Sequence, residues 1–240
     1  MTNEELRSAF EDLTTALIAD ACVRARLPLS LAPAGVRPAF PGARAAGRVL
    51  PVRHFGSVDI FFEAMERANC GDVLVVDNEL RLDEGCVGDL LALEARAAGL
   101  GGIVVLGCHR DGPEISAIGM PVFSYGTCPA GPLPSPERAA ARGREALESV
   151  RVPGGPLVTK SEAVFADADG VIFVPAGRIG EVMMHAEDIR QTERWRAEAV
   201  RRGKTLREQL RFTDYLRRRA GDPSYTFRQH LRAMEGAIEE

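Results

Sequence analysis

The stretch 84–126, EGCVGDLLALEARAAGLGGIVVLGCHRDGPEISAIGMPVFSYG, limits what this chain can fold into more than any other part of it. Leu90, Leu91, Leu93, Ala95, Ala98 and Leu100 recur at helical spacing, and Gly101-Gly102 ends the run before the β-branched Ile103, Val104 and Val105. The spacing predicts a helix followed by a buried strand. Asp89 then opens the helix, Arg110 and Asp111 follow the strand, and Glu114 stands three residues further on. Polar residues therefore bracket an apolar unit, and the C-terminal end of a buried strand is where ligand sites gather in layered α/β sheets.

The remainder of the chain repeats that alternation. Residues 3–27 read as one or two helices with Leu13, Leu17, Ile18 and Ala21 on one face, followed by a Pro-rich connection over 28–41. A strand is expected around Gly47, a helix over 58–68, and a second strand in CGDVLVVDN, whose valines favour extended structure. Beyond 84–126 come a short strand over 120–125, a Pro/Gly-rich loop over 128–136, and VFADADGVIFVP, where Asp169-Gly170 marks a hairpin. Helices over 179–202 and 205–219 complete the pattern, and Ala220-Gly221-Asp222-Pro223 breaks it. Interleaved strands and helices make an α/β layered domain, assigned to 1–203, with a C-terminal helical arm over 204–240.

Charge and cysteines narrow the function. Between Arg190 and Arg232, thirteen Arg or Lys stand against five Asp or Glu; this +8 segment sits in a chain of formal charge −4, so the rest carries −12. Its arginines alternate with Trp195, Leu206, Leu210, Phe212, Tyr215 and Leu216 at helical spacing, which favours a docked helical arm over a nucleic-acid surface. The five cysteines are scattered without a Cys-x-x-Cys pair and read as reduced, mostly buried thiols, Cys108 lying nearest the bracketed unit. His54 and His185 stand at no metal-ligand spacing. No apolar run reaches the roughly 20 residues a membrane helix needs, and the acidic, amphipathic MTNEELRSAFEDL is no signal peptide, so a cytoplasmic protein is expected.

An arginine beside an aspartate just past a strand can hold an anion and a cation together, since guanidinium is a forked donor and carboxylate binds hard metals. A 2-oxo acid on Mg²⁺ needs both. In that arrangement Asp111 is the metal ligand, Asp89 holds a water that acts as base, and the backbone at Gly88, Leu90 and Leu91 offers helix-start N–H groups to a carboxylate. The plainer alternative for Arg110-Asp111 is a surface ion pair.

The segments CGDVLVVDN, GDLLALEARAAGLGGIVVLGCHRD, GPEISAIGMPVFSYG and ADADGVIFVP together resemble the family of regulator of ribonuclease activity A and the divalent-metal 4-hydroxy-4-methyl-2-oxoglutarate aldolases, over about 13–203. The most specific element is an aspartate, twenty intervening residues, then Arg-Asp and a nearby acid, here Asp89, Arg110, Asp111 and Glu114. The resemblance implies a swivelling β/β/α-type fold that assembles as a trimer or a dimer of trimers, with active sites at subunit interfaces. It further implies that Asp111 binds Mg²⁺ or Mn²⁺, Arg110 contacts the pyruvyl carbonyl oxygen, Asp89 orders a water on the metal, and the Leu90 and Leu91 amides hold the carboxylate. A neighbouring subunit's glutamate supports that water in some relatives, and Glu193 is the matching candidate.

Two departures from the family pattern stand out. Cys70-Gly71-Asp72 and Thr159-Lys160-Ser161-Glu162 replace Pro-Gly-Asp turns, and His109 is unusual in the motif, facing either substrate or sheet. The expected activity is a metal-dependent lyase that releases pyruvate from a 4-hydroxy-2-oxo acid and also decarboxylates oxaloacetate. The alternatives are a non-catalytic regulator that binds ribonuclease E, or a lyase or isomerase on another enolisable acid. A methyltransferase is not expected, because no Gly-rich nucleotide loop follows the first strand. The arm after Gly203 either caps a neighbouring protomer's site, offering Arg or Tyr to a second substrate carboxylate, or serves assembly alone.

Overall fold

A computed structural model of the chain describes residues 1–132, 137 and 143–234. Parts of two expected segments, 133–136 of the Pro/Gly-rich loop and 235–240 of the arm, lie outside the described residues. The chain divides into two compact units, one made of Met1–Ala16 and Leu29–Gly180, the other of Leu17–Pro28 and Glu181–Glu240. The boundary expected at Gly203 falls inside the second.

In the first unit an eight-stranded mixed sheet has its centre in four parallel strands: β3 (Ala45–Arg53), β4 (Val73–Asp77), β6 (Gly102–Leu106) and β8 (Val122–Ser124). One flank continues antiparallel through β11 (Glu162–Ala166) and β12 (Val171–Pro175) to β1 (Ser30–Leu31), and β2 (Arg37–Pro38) pairs antiparallel with β8 on the other. Strands β1 and β2 form within the Pro-rich connection. Two small pairs complete the strands, β5 (Gly85–Val87) parallel to β7 (Cys108–His109), and β9 (Ser149–Arg151) antiparallel to β10 (Leu157–Thr159).

The central strands are apolar without interruption because both of their faces are covered. Alternation sorts their side chains. In β4, Leu74 and Val76 join Leu50, Ile103 and Val105 beneath the helices α3 (Asp59–Met65), α4 (Asp89–Ala97) and α5 (Gly112–Ile118), represented there by Phe61, Ala92 and Ile115. Val73 and Val75 join Val49, Val104 and Phe123 on the other side with Val150, Val158, Val164 and Phe173. Helix α1 (Asn3–Glu11) starts with a capping box at Thr2 and is pinned to the sheet by Asn3, whose Oδ1 accepts from the Arg48 amide at 2.8 Å and whose Nδ2 donates to Asp72 at 2.8 Å. Asp167 ends β11 by accepting from both the amide and the hydroxyl of Thr15, at 2.8 and 2.6 Å.

Two local expectations need correction. Helix α4 buries Leu91, Ala92 and Ala95, whereas Leu90 and Leu93 face outward: at 100° per residue a face that contains 91, 92 and 95 cannot also hold 90 and 93. It also stops earlier than Gly101-Gly102, because Gly99 adopts φ +77 after the C-cap Ala98, a left-handed step that side-chain-bearing residues resist.

In the second unit, the rest of α2 (Thr15–Arg24) and of α6 (Ile179–Arg201) are followed by α7 (Leu206–Gln209), α8 (Phe212–Gly221) and α9 (Phe227–Ala233). The single helix expected over 205–219 is thus two, because Arg211 takes a left-handed conformation at φ +47. Phe212, Tyr215, Tyr225, Phe227 and His230 cluster edge and face in this unit. Several of the basic residues pair along their own helices, Arg190 with Glu187, Arg202 with Glu198 and Arg211 with Asp214. All five cysteines are free thiols. No helix among the described residues is long and apolar enough to cross a membrane.

Candidate functional site

The bracketing residues of 84–126 meet because β5 and β7 pair. Strand β5 follows β4 and β7 follows β6, so the parallel register of the central sheet carries Val87 alongside His109. The Arg110 amide then donates to the Val87 carbonyl at 2.8 Å, while the His109 amide donates to Gly126 and the Cys128 amide to His109. This lacing sets Gly88 against the Arg110-Asp111 turn so closely that a Cβ at Gly88 would stand 2.5 Å from Asp111 Oδ2 and 3.1 Å from Arg110 Nε. Only glycine leaves that space open.

Asp111 has φ 58 and ψ 42, left-handed, and stands at the start of α5. Aspartate tolerates this conformation better than most residues, yet it is strained relative to glycine, and such strain concentrates at functional positions. Asp111 Oδ2 lies 3.3 Å from Arg110 Nε and accepts from the Asp89 amide at 3.3 Å. Asp89 Oδ1 accepts from the Leu90 amide at 2.7 Å. Asp89, Leu90 and Leu91 carry first-turn N–H groups of α4, which lack carbonyl partners within a helix. Two of these donors are turned toward carboxylate oxygens of the protein itself, Asp89 N toward Asp111 and Leu90 N toward Asp89. Gly88, Asp89, Leu90, Leu91, Arg110 and Asp111 are thus brought together.

The other sequence candidates are Glu114, Glu193, His109 and Cys108. Glu114 is exposed in the first turn of α5. Glu193 is on α6 in the second unit. His109 faces the sheet: it is buried, and its Nδ1 lies 2.6 Å from Ser124 Oγ. Burial lowers its pKa, opposed by the Asp111 carboxylate and by the bond at Gly126, so the ring stays neutral at pH 7. Cys108 is buried as well, and burial, then Cys128, raise its pKa, which suppresses the reactive thiolate.

Beside Arg110 opens a cavity of about 420 Å³, lined by Gly88, Asp89, Leu90, Leu91 and Arg110. Its lining also includes His54, Ser57, Val58, Phe61 and Pro132, which the sequence did not single out for the site. His54 ends the neighbourhood of β3, stacks on Phe61 with ring centroids 5.1 Å apart, and sets Nδ1 2.8 Å from Asn78 Oδ1 and 3.9 Å from buried Glu84. The available signal was positional, since 54–58 leave a strand that adjoins β4 in parallel.

The residues present fit a hard divalent cation. Asp111 offers a partly exposed carboxylate over the gap kept by Gly88, and no group of three or more His, Cys, Asp or Glu assembles among the described residues. A single carboxylate with solvent in the remaining positions is the coordination that Mg²⁺ accepts.

Comparison with known proteins places the chain in a family. The model of the RraA-like family, described as Aldolase/RraA, matches residues 15–173. A protein of Halalkalibacterium halodurans named "Putative 4-hydroxy-4-methyl-2-oxoglutarate aldolase" is 28% identical over 141 residues, 58% of this chain and 62% of that one. One of the same name from Pseudomonas paraeruginosa is 32% identical over 129 residues, 54% of this chain and 75% of that one. The match thus spans less than two thirds of the first relative's length. Among solved structures, an uncharacterized protein of Pseudomonas syringae superposes with TM-score 0.70 at 26% identity, covering 84% of this chain and 94% of that one. Streptomyces coelicolor RraAS2, described as an unusual member of the RNase ES inhibitor RraA protein family, gives TM-score 0.66 at 25% identity, covering 80% and 94%.

Proposed function

The chain belongs to the RraA-like family and has its fold, and from that premise we propose that it is a divalent-metal-dependent lyase that releases pyruvate from a 4-hydroxy-2-oxo acid. The observation that carries the reading is the convergence of Asp89, Arg110 and Asp111 around the gap at Gly88, with Asp89 and Arg110 lining a cavity large enough for such a substrate. Asp111 holds Mg²⁺ or Mn²⁺, which supplies Lewis-acid polarisation of the 2-oxo group.

The first-turn amides of α4 at Leu90 and Leu91 receive the substrate carboxylate in place of the carboxylate oxygen of Asp89 that now accepts from Leu90. Arg110 faces the 2-oxo oxygen. Asp89, acting through one water, takes the proton from the C4 hydroxyl; the C3–C4 bond breaks, its electron pair forms the pyruvate enolate, and the carbonyl product leaves. Arg110 offsets the enolate charge in a partly enclosed site, where a fixed donor is worth far more than in water. The proton returns to C3 and gives pyruvate. Oxaloacetate decarboxylation yields the same enolate and is a side activity.

The chain assembles as a trimer or a dimer of trimers. Leu90 and Leu93, two leucines exposed side by side on α4 at the edge of the site, support a subunit contact there.

The test is pyruvate release, followed with a coupled dehydrogenase, from 4-hydroxy-2-oxo acids in the presence of Mg²⁺. Arg110→Ala is expected to lower kcat/KM by at least about a hundredfold, the scale of losing one transition-state donor. No pyruvate from several such acids would remove the reading. The likeness to RraAS2 favours one second reading, a regulator that binds ribonuclease E without turnover; ribonuclease E retained by the immobilised chain, together with no pyruvate release, would support it.

A further inference from the structure

Past the ends of β3 and β4 the parallel register continues into polar residues. Arg53 pairs with Asp77, so His54 and Asn78 stand one step further on, and the His54 amide donates to the Asp77 carbonyl at 2.9 Å. Both side chains are buried, as is Glu84 just before β5. The His54 ring stacks on Phe61, and its Nδ1 lies 2.8 Å from Asn78 Oδ1 and 3.9 Å from Glu84 Oε1. An amide oxygen only accepts, so Nδ1 carries the hydrogen of this bond. Nε2 is then the nitrogen that gains or loses a proton. The Glu84 carboxylate, which Arg81 approaches to 3.5 Å, supplies a counter-charge when the ring is protonated. His54 lines the same cavity as Asp89 and Arg110, and an imidazole fixed through Nδ1 uses Nε2 for acid and base chemistry.

We propose that His54 is a catalytic acid–base of this site, the group that exchanges a proton with C3 of the substrate. The inference rests on the lyase reading and deepens it. Retro-aldol cleavage needs one proton taken from the C4 hydroxyl, which falls to Asp89 and its water, and one delivered to C3. With the ring protonated, Nε2–H gives its proton to C3, the enolate electron pair becomes the new C–H bond, and pyruvate forms beside a neutral imidazole. The ring regains a proton from solvent, which has received the one removed at Asp89, so each turnover balances. Dividing the two transfers lets each group hold the form its own step requires, carboxylate for the base and imidazolium for the acid. Run backwards, the last step has neutral His54 take a methyl proton from bound pyruvate.

That reverse step supplies the test. Proton NMR of pyruvate in D₂O, with the full-length protein and Mg²⁺, follows replacement of the methyl hydrogens by deuterium. His54→Asn is expected to slow this exchange at least about a hundredfold, the scale of losing one positioned acid–base group. It is expected to bind oxalate with Mn²⁺ as the wild type does, because the asparagine Nδ2 keeps a donor for Asn78 and only Nε2 is lost. His54→Gln, whose amide nitrogen reaches the place of Nε2 but does not titrate, is expected to behave alike, and it decides the matter should His54→Asn not fold. Exchange at the wild-type rate in either variant would overturn the proposal and leave the lyase reading standing. Loss of oxalate binding along with exchange in both variants would do the same, since it marks a role in shaping the cavity. Pyruvate release by the wild type without methyl exchange would likewise overturn the proposal alone, whereas neither release nor exchange would overturn both.

Discussion

At the scale of single residues, Gly88 leaves the Asp111 carboxylate and the Arg110 side chain their present positions. An added methyl would stand 2.5 Å from Asp111 Oδ2, well inside contact distance, so the carboxylate would have to move. Gly88→Ala is expected to weaken Mn²⁺ binding and lower kcat/KM, each by at least about tenfold, because small displacements of a ligand carry large rate costs. Folding stability should change by no more than about 1 kcal/mol, the scale of a helix-cap substitution. Mn²⁺ titration and denaturant unfolding of the same variant check both; undiminished Mn²⁺ binding would exclude Asp111 as the ligand. Asp89, Arg110 and Asp111 stood out in the sequence as polar brackets around one helix and one strand, and the family resemblance, rather than the spacing, joined them into one candidate site. His54, Ser57, Val58 and Phe61 did not stand out, since they precede Asp89 by some thirty positions and reach the cavity only through the pairing of β3 with β4, a register that local sequence does not encode. The orientation of His109 was equally hidden, because it depends on the Ser124 hydroxyl contributed by another strand.

At the scale of elements, the apolar runs of β4 and β6 announced their burial plainly, and the structure places them side by side at the centre of the sheet. The direction of α4 on that sheet was less legible. Its leucines satisfy helical spacing on two faces at once, and only packing distinguishes the buried Leu91 from the exposed Leu90 and Leu93. What ends β11 was likewise invisible, since Asp167 and Thr15 lie far apart in sequence. That contact is testable. Asp167→Ala deprives the buried Thr15 amide and hydroxyl of their acceptor, with an expected cost of about 1–3 kcal/mol in denaturant unfolding. A change below about 0.5 kcal/mol would mean that water replaces the carboxylate.

At the scale of the whole molecule, the sheet, the helices over it and the lacing of β5 to β7 serve to bring a helix start and a strand end to one point. The exposed leucines of α4 stand next to that point. Light scattering is therefore expected to give the mass of three or six chains, and Leu93→Glu, which places a charge on the proposed contact, to lower it; a wild-type mass of one chain would set the assembly aside. The central claim, that Asp111 with Arg110 and the start of α4 form a metal-assisted enolate site, is tested most directly by a crystal structure of the protein with Mn²⁺ and oxalate, a mimic of the enolate. The account predicts an anomalous-scattering peak beside the Asp111 carboxylate, with oxalate between Arg110 and the Leu90 and Leu91 amides. Manganese bound away from Asp111, or oxalate bound away from Arg110, would contradict it.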